Sequence, residues 1–350
     1  MNVKAYAMFL MSLFAQPAHT QGFAGLGTDA EGFAIPQPDQ TFSFPADHGP
    51  HPEFRIEWWY LTSTLTGDDG QSYGIQWTLF RSALKPYEED GWQSPQLWMG
   101  HAALTSETTH HFDERIARGG IGQAGVTAAP FSAWIDDWEM TGQPDKGLSE
   151  LRLTARGGTF QYDLELNADR PLVLHGEAGY STKTDDGKAS YYYSQPAYSV
   201  TGTLHLPNGP VNVTGQGWLD REWSSQPLSE DQTGWDWFSL SFNSGARMMG
   251  FRLRDGADGY TSATWISADG SSVSLPNGVL EIEPLETTAV QEREIPTVWR
   301  VVLPAQDLDI TVKALNPQSW MGTSFPYWEG PVTVAGSHTG RGYLEMTGYD

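Results

Sequence analysis

Two acid-bearing aromatic clusters hold the residues of this chain best suited to proton chemistry. The first is Glu53-Phe54-Arg55-Ile56-Glu57-Trp58-Trp59-Tyr60. The second is Trp218-Leu219-Asp220-Arg221-Glu222-Trp223, followed by Asp236 between Trp235 and Trp237. Side chains of a strand alternate faces. Glu57 therefore shares a face with Trp59, and Trp58 with Tyr60. Asp220 shares one with Glu222, and Arg221 and Trp223 lie opposite. A carboxyl turned into aromatic surroundings is desolvated, its pKa rises, and it can donate a proton at neutral pH. Indole faces nearby stabilise a developing cation. On this reading Glu57, His101, Asp220 and Asp236 are the candidate catalytic groups. Trp59, Tyr60, Trp77, Trp223 and Trp237 line the ligand site, with Arg81 and Arg221 as counter-charges. The competing reading is structural, because a close arginine lowers a carboxylate's pKa and turns the pair into a tie between strands.

Other motifs carry less. Gly120-Ile121-Gly122-Gln123-Ala124-Gly125 has the G-x-G-x-x-G spacing, but a nucleotide site needs a strand before it and a helix after it. Here His111 to Arg118 reads as a short helix before it and Pro130 follows, so the segment is expected to be a glycine-rich loop. Neither a serine-nucleophile elbow nor an H-E-x-x-H zinc helix is expected. His48, His51, His101, His110 and His111 fall in the first half as loop or strand polar residues, and no metal site or cofactor is expected.

These residues must be positioned by strands. The chain holds 15 Trp, 14 Tyr and 15 Phe, a composition suited to pleated, half-buried surfaces. Hairpins are legible at Arg152 to Leu166, around Gly157-Gly158, and at Tyr198 to Leu219, around Pro207-Asn208-Gly209-Pro210. A faint repeat runs through both halves. Glu57-Trp58-Trp59-Tyr60 precedes a turn and a return strand ending in Arg81. Trp235-Asp236-Trp237-Phe238 precedes a turn and a return strand ending in Arg252 and Arg254. An all-β fold of two consecutive lipocalin-like antiparallel barrels follows, since closed barrels leave no exposed edges.

The expected division is a signal peptide over 1–20, an extended arm over 21–45, a first barrel over 46–210 and a second over 211–350. Lys4 and the apolar run Ala5 to Ala15 have the form of an export signal, with cleavage expected between Ala18 and Gly22. The run is too short to span a bilayer, and no later stretch does so, so a secreted or periplasmic protein without an integral membrane segment is expected. The net charge of -23 argues against nucleic acid as a partner. The chain has no cysteine, which excludes disulfides, thiolate metal sites and cysteine nucleophiles.

The run His51 to Tyr60, Gly100-His101-Ala102-Ala103-Leu104-Thr105, Trp218 to Trp223, and Gly342 to Tyr349 resemble the AttH-like family. That family is related to carotenoid 1,2-hydratase (hydroxyneurosporene synthase), and its members are often labelled secreted hydrolases. The likeness covers the chain from about Phe42 to Tyr349. It implies two lipocalin-like barrels with a cleft at or between them, and hydratase chemistry in which an isolated double bond is protonated and the cation trapped by water. The hydratase branch carries a histidine near the position of Arg221, which sets this chain apart from carotenoid hydration itself. The leading expectation is a protein that binds an apolar lipid or isoprenoid-type ligand, with or without transforming it by acid–base chemistry. The alternatives are a non-catalytic carrier serving an envelope ABC transporter and a secreted hydrolase. Convergence of buried acids in one pocket separates an enzyme from a carrier.

Overall fold

The protein was analysed as a computed structural model, which describes residues 30–226, 232–255 and 259–349. The segment read as a signal, 1–20, and the start of the arm lie outside the described residues. Among those residues every regular element is a strand or a short 3-10 turn, and all strand pairs are antiparallel. The all-β expectation holds.

Two sheets curl into lipocalin-like barrels. In the first, the strands run in the order His110–Arg118, Gln96–Ser106, Ser72–Ala83, Ile56–Gly67, Gly209–Ser224, Ala189–Leu206, Gln161–Ala168, Glu150–Arg156, Trp138–Gly142, Phe131–Ile135 and Ala124–Ala128. In the second they run Ser272–Leu275, Tyr260–Ile266, Arg247–Arg254, Gly234–Phe242, Gly340–Met346, Tyr327–Gly336, Leu308–Ala314, Arg293–Leu303 and Glu281–Val290. The repeat read in the sequence reappears as topology. In each barrel the first long strand lies between the strand that follows it and the last strand of its sheet. Glu57 lies opposite Arg81 across one such pair, and Asp236 lies opposite Arg252 across the other.

The strand Gly209–Ser224 pairs with Ile56–Gly67 from Val213 to Ser224. It therefore belongs to the first barrel, and the change of sheet falls between Ser224 and Gly234 rather than at residue 210. His110–Arg118 is a strand and not a helix. Nine ladder pairs with Gln96–Ser106 override its helix-favouring Glu, Arg and Ala. The glycine-rich run is a loop, with Gly120 and Gly122 at φ of 78° and 81°.

Period-2 alternation sorts most buried side chains between three large apolar cores. Trp59, Leu61 and Leu65 point into the first barrel with Trp77, Tyr162 and Trp223. Phe238, Leu240, Trp299 and Trp328 fill the second. A third core lies between the barrels and includes Tyr60, Tyr192, Trp218, Trp237, Met249 and Phe251. Both faces of the central strands are thus covered. The arm closes the first barrel, with the Phe42 ring against Tyr191, Tyr193 and Trp223 at centroid distances of 6.0, 5.9 and 5.4 Å.

Candidate functional site

The seam between the barrels opens into a cleft. Its walls are aromatic: Trp58, Tyr60, Phe80 and Tyr192 from the first barrel, and Trp235, Trp237, Phe251, Phe325 and Tyr327 from the second. Set into them are Asp220, Glu222 and Glu345, with Lys183 and His101. A concave apolar site with a few convergent polar groups is the usual form of a small-molecule pocket.

Each carboxyl has its own setting. Asp220 is buried and takes hydrogen bonds from Trp218 Nε1 at 2.6 Å, Tyr192 Oη at 2.8 Å and the Ser194 hydroxyl. Burial outweighs these donors and pushes its pKa up to about 7. Glu345 shows part of its surface in the cleft and accepts Trp235 Nε1 at 2.6 Å. Burial, reinforced by the charges of Asp220 and Glu222, pushes it up to about 7. Glu329, behind Glu345 on the neighbouring strand, accepts the Tyr60 hydroxyl, and burial and Glu345 raise its pKa well above the carboxylate range. Glu222 differs, because Lys183 Nζ lies 2.9 Å from its Oε1.

His101 is fully buried, with Nε2 3.1 Å from Glu114 and Nδ1 2.9 Å from Tyr327 Oη. Burial lowers its pKa, so the ring is neutral at pH 7. The Glu114 carboxylate can only accept, so Nε2 carries the proton and Nδ1 accepts from Tyr327.

Of the residues singled out from the sequence, Tyr60, His101, Asp220 and Trp237 come together in this cleft. The others point the opposite way along the same strands. Glu57, Trp59, Trp77, Arg81, Arg221 and Trp223 lie inside the first barrel, each with almost no exposure. Arg81 Nε and Arg221 Nη2 both reach Glu57, the latter at 2.9 Å. The Arg221 guanidinium lies 3.8 Å over the Trp59 ring. Burial favours the neutral form of Glu57, but the two arginines override it and hold the carboxyl well below its usual range. Asp236 is the counterpart inside the second barrel, held by Arg252 at 2.8 Å, by Arg254 and by Tyr349 Oη at 2.8 Å. These two acids tie strands together.

Glu222, Glu345, Lys183, Tyr192, Trp235 and Phe251 were not among the sequence candidates. Glu345 had a signal, as an acid between Leu344 and Met346 in an apolar strand. Lys183, after the short strand Tyr180–Thr182, had none. The spacing G-x-S-x-G does occur, at Gly70-Gln71-Ser72-Tyr73-Gly74, but Ser72 opens a hairpin's return strand and no helix follows, so it forms no nucleophile elbow. Ser194 lies 2.6 Å from His175 Nε2, yet it is fully buried and donates its proton to Asp220, so this hydroxyl is not an exposed nucleophile. Among the described residues no cluster of His, Asp and Glu suits a metal ion.

The profile of the AttH-like family matches residues 35–349. No curated protein matches the sequence. Among solved structures the chain is similar to an AttH of Nitrosomonas europaea, at 30% identity and a TM-score of 0.81 over 91% of this chain and 100% of that one. It is also similar to kievitone hydratase from Nectria haematococca, at 16% identity and a TM-score of 0.66 over 91% and 98% of the two chains. CghA shares 13% identity at a TM-score of 0.55, over 91% and 97%. The last two likenesses are of fold.

Proposed function

The chain belongs to the AttH-like family, and we propose that it binds an apolar, isoprenoid-type alkene in the inter-barrel cleft and adds water across a carbon–carbon double bond. The observation that carries this reading is the placing of Asp220 and Glu345 among aromatic rings, both held near neutrality. An ordinary carboxylic acid is ionised at pH 7 and cannot protonate an alkene. A carboxyl with a pKa of about 7 keeps a substantial protonated fraction there. Transfer of its proton to one alkene carbon leaves a cation on the other. Trp58, Trp235 and Trp237 line the cleft, where indole rings can stabilise such a charge. Water then bonds to the cationic carbon and releases one proton, which restores the acid. That a neighbour of the same fold is a hydratase supports the reaction type. Among the described residues the one lysine lining the cleft, Lys183, is paired with Glu222, which disfavours anionic ligands such as fatty acids.

The test is incubation with neutral isoprenoid alkenes in ¹⁸O-labelled water, with mass spectrometry of the product and quenching of the cleft tryptophans as a measure of binding. The expected result is gain of one labelled water, slowed about 10²–10⁴-fold in Asp220→Asn/Glu345→Gln with quenching retained. Saturable binding with no labelled product across the alkenes tried would instead identify a carrier and overturn the catalytic reading.

A further inference from the structure

The cleft is built twice. In the first barrel Trp58 lies between Phe80 on one neighbouring strand and Glu222 on the other. In the second, Trp237 lies between Phe251 and Glu345. The register is the same in both, and all six side chains face the cleft. The two half-sites therefore present equivalent carboxyl groups to one ligand.

Their surroundings are not equivalent. Glu222 faces Lys183 at 2.9 Å, the Ser190 hydroxyl, Tyr192 on the adjoining strand and Asp220 on its own. Lys183 also lies 4.2 Å over the Phe251 ring of the opposite barrel. Glu345 faces the neutral Trp235 indole, Tyr60, Glu329 on the adjoining strand, and the acids Asp220 and Glu222 across the seam. Among the described residues no lysine, arginine or histidine forms an ion pair with Glu345, Glu329 or Asp220, and the charges that bear most on Glu345, those of Asp220 and Glu222, share its sign. Asp220 is recessed, with both oxygens engaged by donors, whereas Glu345 has surface in the cleft.

We infer that the duplicated half-sites divide the chemistry, with Glu345 of the second barrel as the resting acid and Glu222 of the first, ion-paired to Lys183, as the resting base. The assignment rests on the hydration reading above. The Glu345 O–H bond breaks as a C–H bond forms on the alkene. Water forms the C–O bond and gives its proton to the Glu222 carboxylate. That proton returns to Glu345 through the solvent of the open cleft, so the sum is alkene plus water to alcohol. Opposed environments for paired titratable groups are how acid and base roles are commonly set.

Infrared difference spectroscopy tests the resting states whether or not any alkene turns over. At pH 6, Glu345→Gln is expected to remove a protonated-carboxyl C=O band that Glu222→Gln leaves in place. Lys183→Met is expected to create a band that Lys183→Met/Glu222→Gln lacks, while Lys183→Arg, which keeps the charge, creates none. With a turned-over alkene in hand, Glu345→Gln and Glu222→Gln each slow product formation about 10²-fold or more. A band lost from Glu222→Gln but kept in Glu345→Gln, or no new band in Lys183→Met, overturns the assignment. The expected spectra without hydration of any alkene would support the charge division and count against the hydration reading alone.

Discussion

Glu57 and Glu345 sit in strands of the same kind, and their surroundings drive them in opposite directions. Glu57 is enclosed with Arg81, Arg221 and His51, whose Nδ1 lies 3.2 Å away, so its folded-state pKa falls below the ordinary value of 4.5. It contributes stability above that ordinary value, and the contribution is lost as pH falls below it. Glu345 and Asp220 are raised from 4.5 and 3.8 to about 7. Their contribution is complete below those ordinary values and is lost as pH rises through about 7. Urea unfolding from pH 3 to pH 8 checks both signs. Glu57→Gln should cost about 3–5 kcal/mol near neutrality, because it leaves two arginines uncompensated, and its deficit should shrink in acid. Glu345→Gln should gain stability relative to the wild type between pH 4 and pH 8. A Glu57→Gln protein as stable as the wild type at pH 7 would remove the ion cluster from the account of the first barrel.

At the scale of elements, the strands that carry the site are buried on both faces. Ile56–Gly67 has one exposed residue, Thr66. The edge strand His110–Arg118 is the contrast, half-exposed and charged along its length, which guards an open edge against pairing with another chain. Its connection to Ala124–Ala128 depends on Gly120. At φ 78° a Cβ there is strained, and it would lie 2.5 Å from the Gly91 carbonyl oxygen. Gly120→Ala should therefore cost more than about 1 kcal/mol in urea unfolding. A neutral result would mean that the turn relaxes freely and does not fix how the two ends of the first sheet meet.

At the scale of the molecule, the function proposed belongs to neither barrel alone. Tyr60 of the first donates to Glu329 of the second, and Trp237 Nε1 of the second donates to Tyr192 of the first at 3.1 Å. The barrels approach closely where Gly74 meets Pro331 and Tyr343, and a Cβ there would lie only 2.6–2.8 Å from their atoms. Gly74→Val should wedge the seam. The expected outcome is a loss of about 1–3 kcal/mol with ligand binding in the cleft weakened and far-UV circular dichroism unchanged. Unaltered binding in that variant would show that the cleft does not depend on close docking of the barrels.

Strand alternation was legible from the residues alone, and so were the pairings it implies: Glu57 with Trp59, Trp58 with Tyr60, Asp220 with Glu222, Arg221 with Trp223. The duplication of the acid–aromatic strand was legible too, along with the two-barrel fold. What alternation cannot say is which face of a strand turns inward when both are apolar. A strand with one solvated face marks its inside by polarity, but here a second barrel covers the outer face, so Trp58 and Trp59 look alike in sequence while one lines the cleft and the other fills a core. The same ambiguity joined Glu57 to Asp220 as candidate acids. Tertiary structure separated them by placing arginines around one and none against the other. The charges that surround each acid, Lys183 beside Glu222 and Asp220 and Glu222 across the seam from Glu345, come from distant segments whose local sequence carries no mark of the contact.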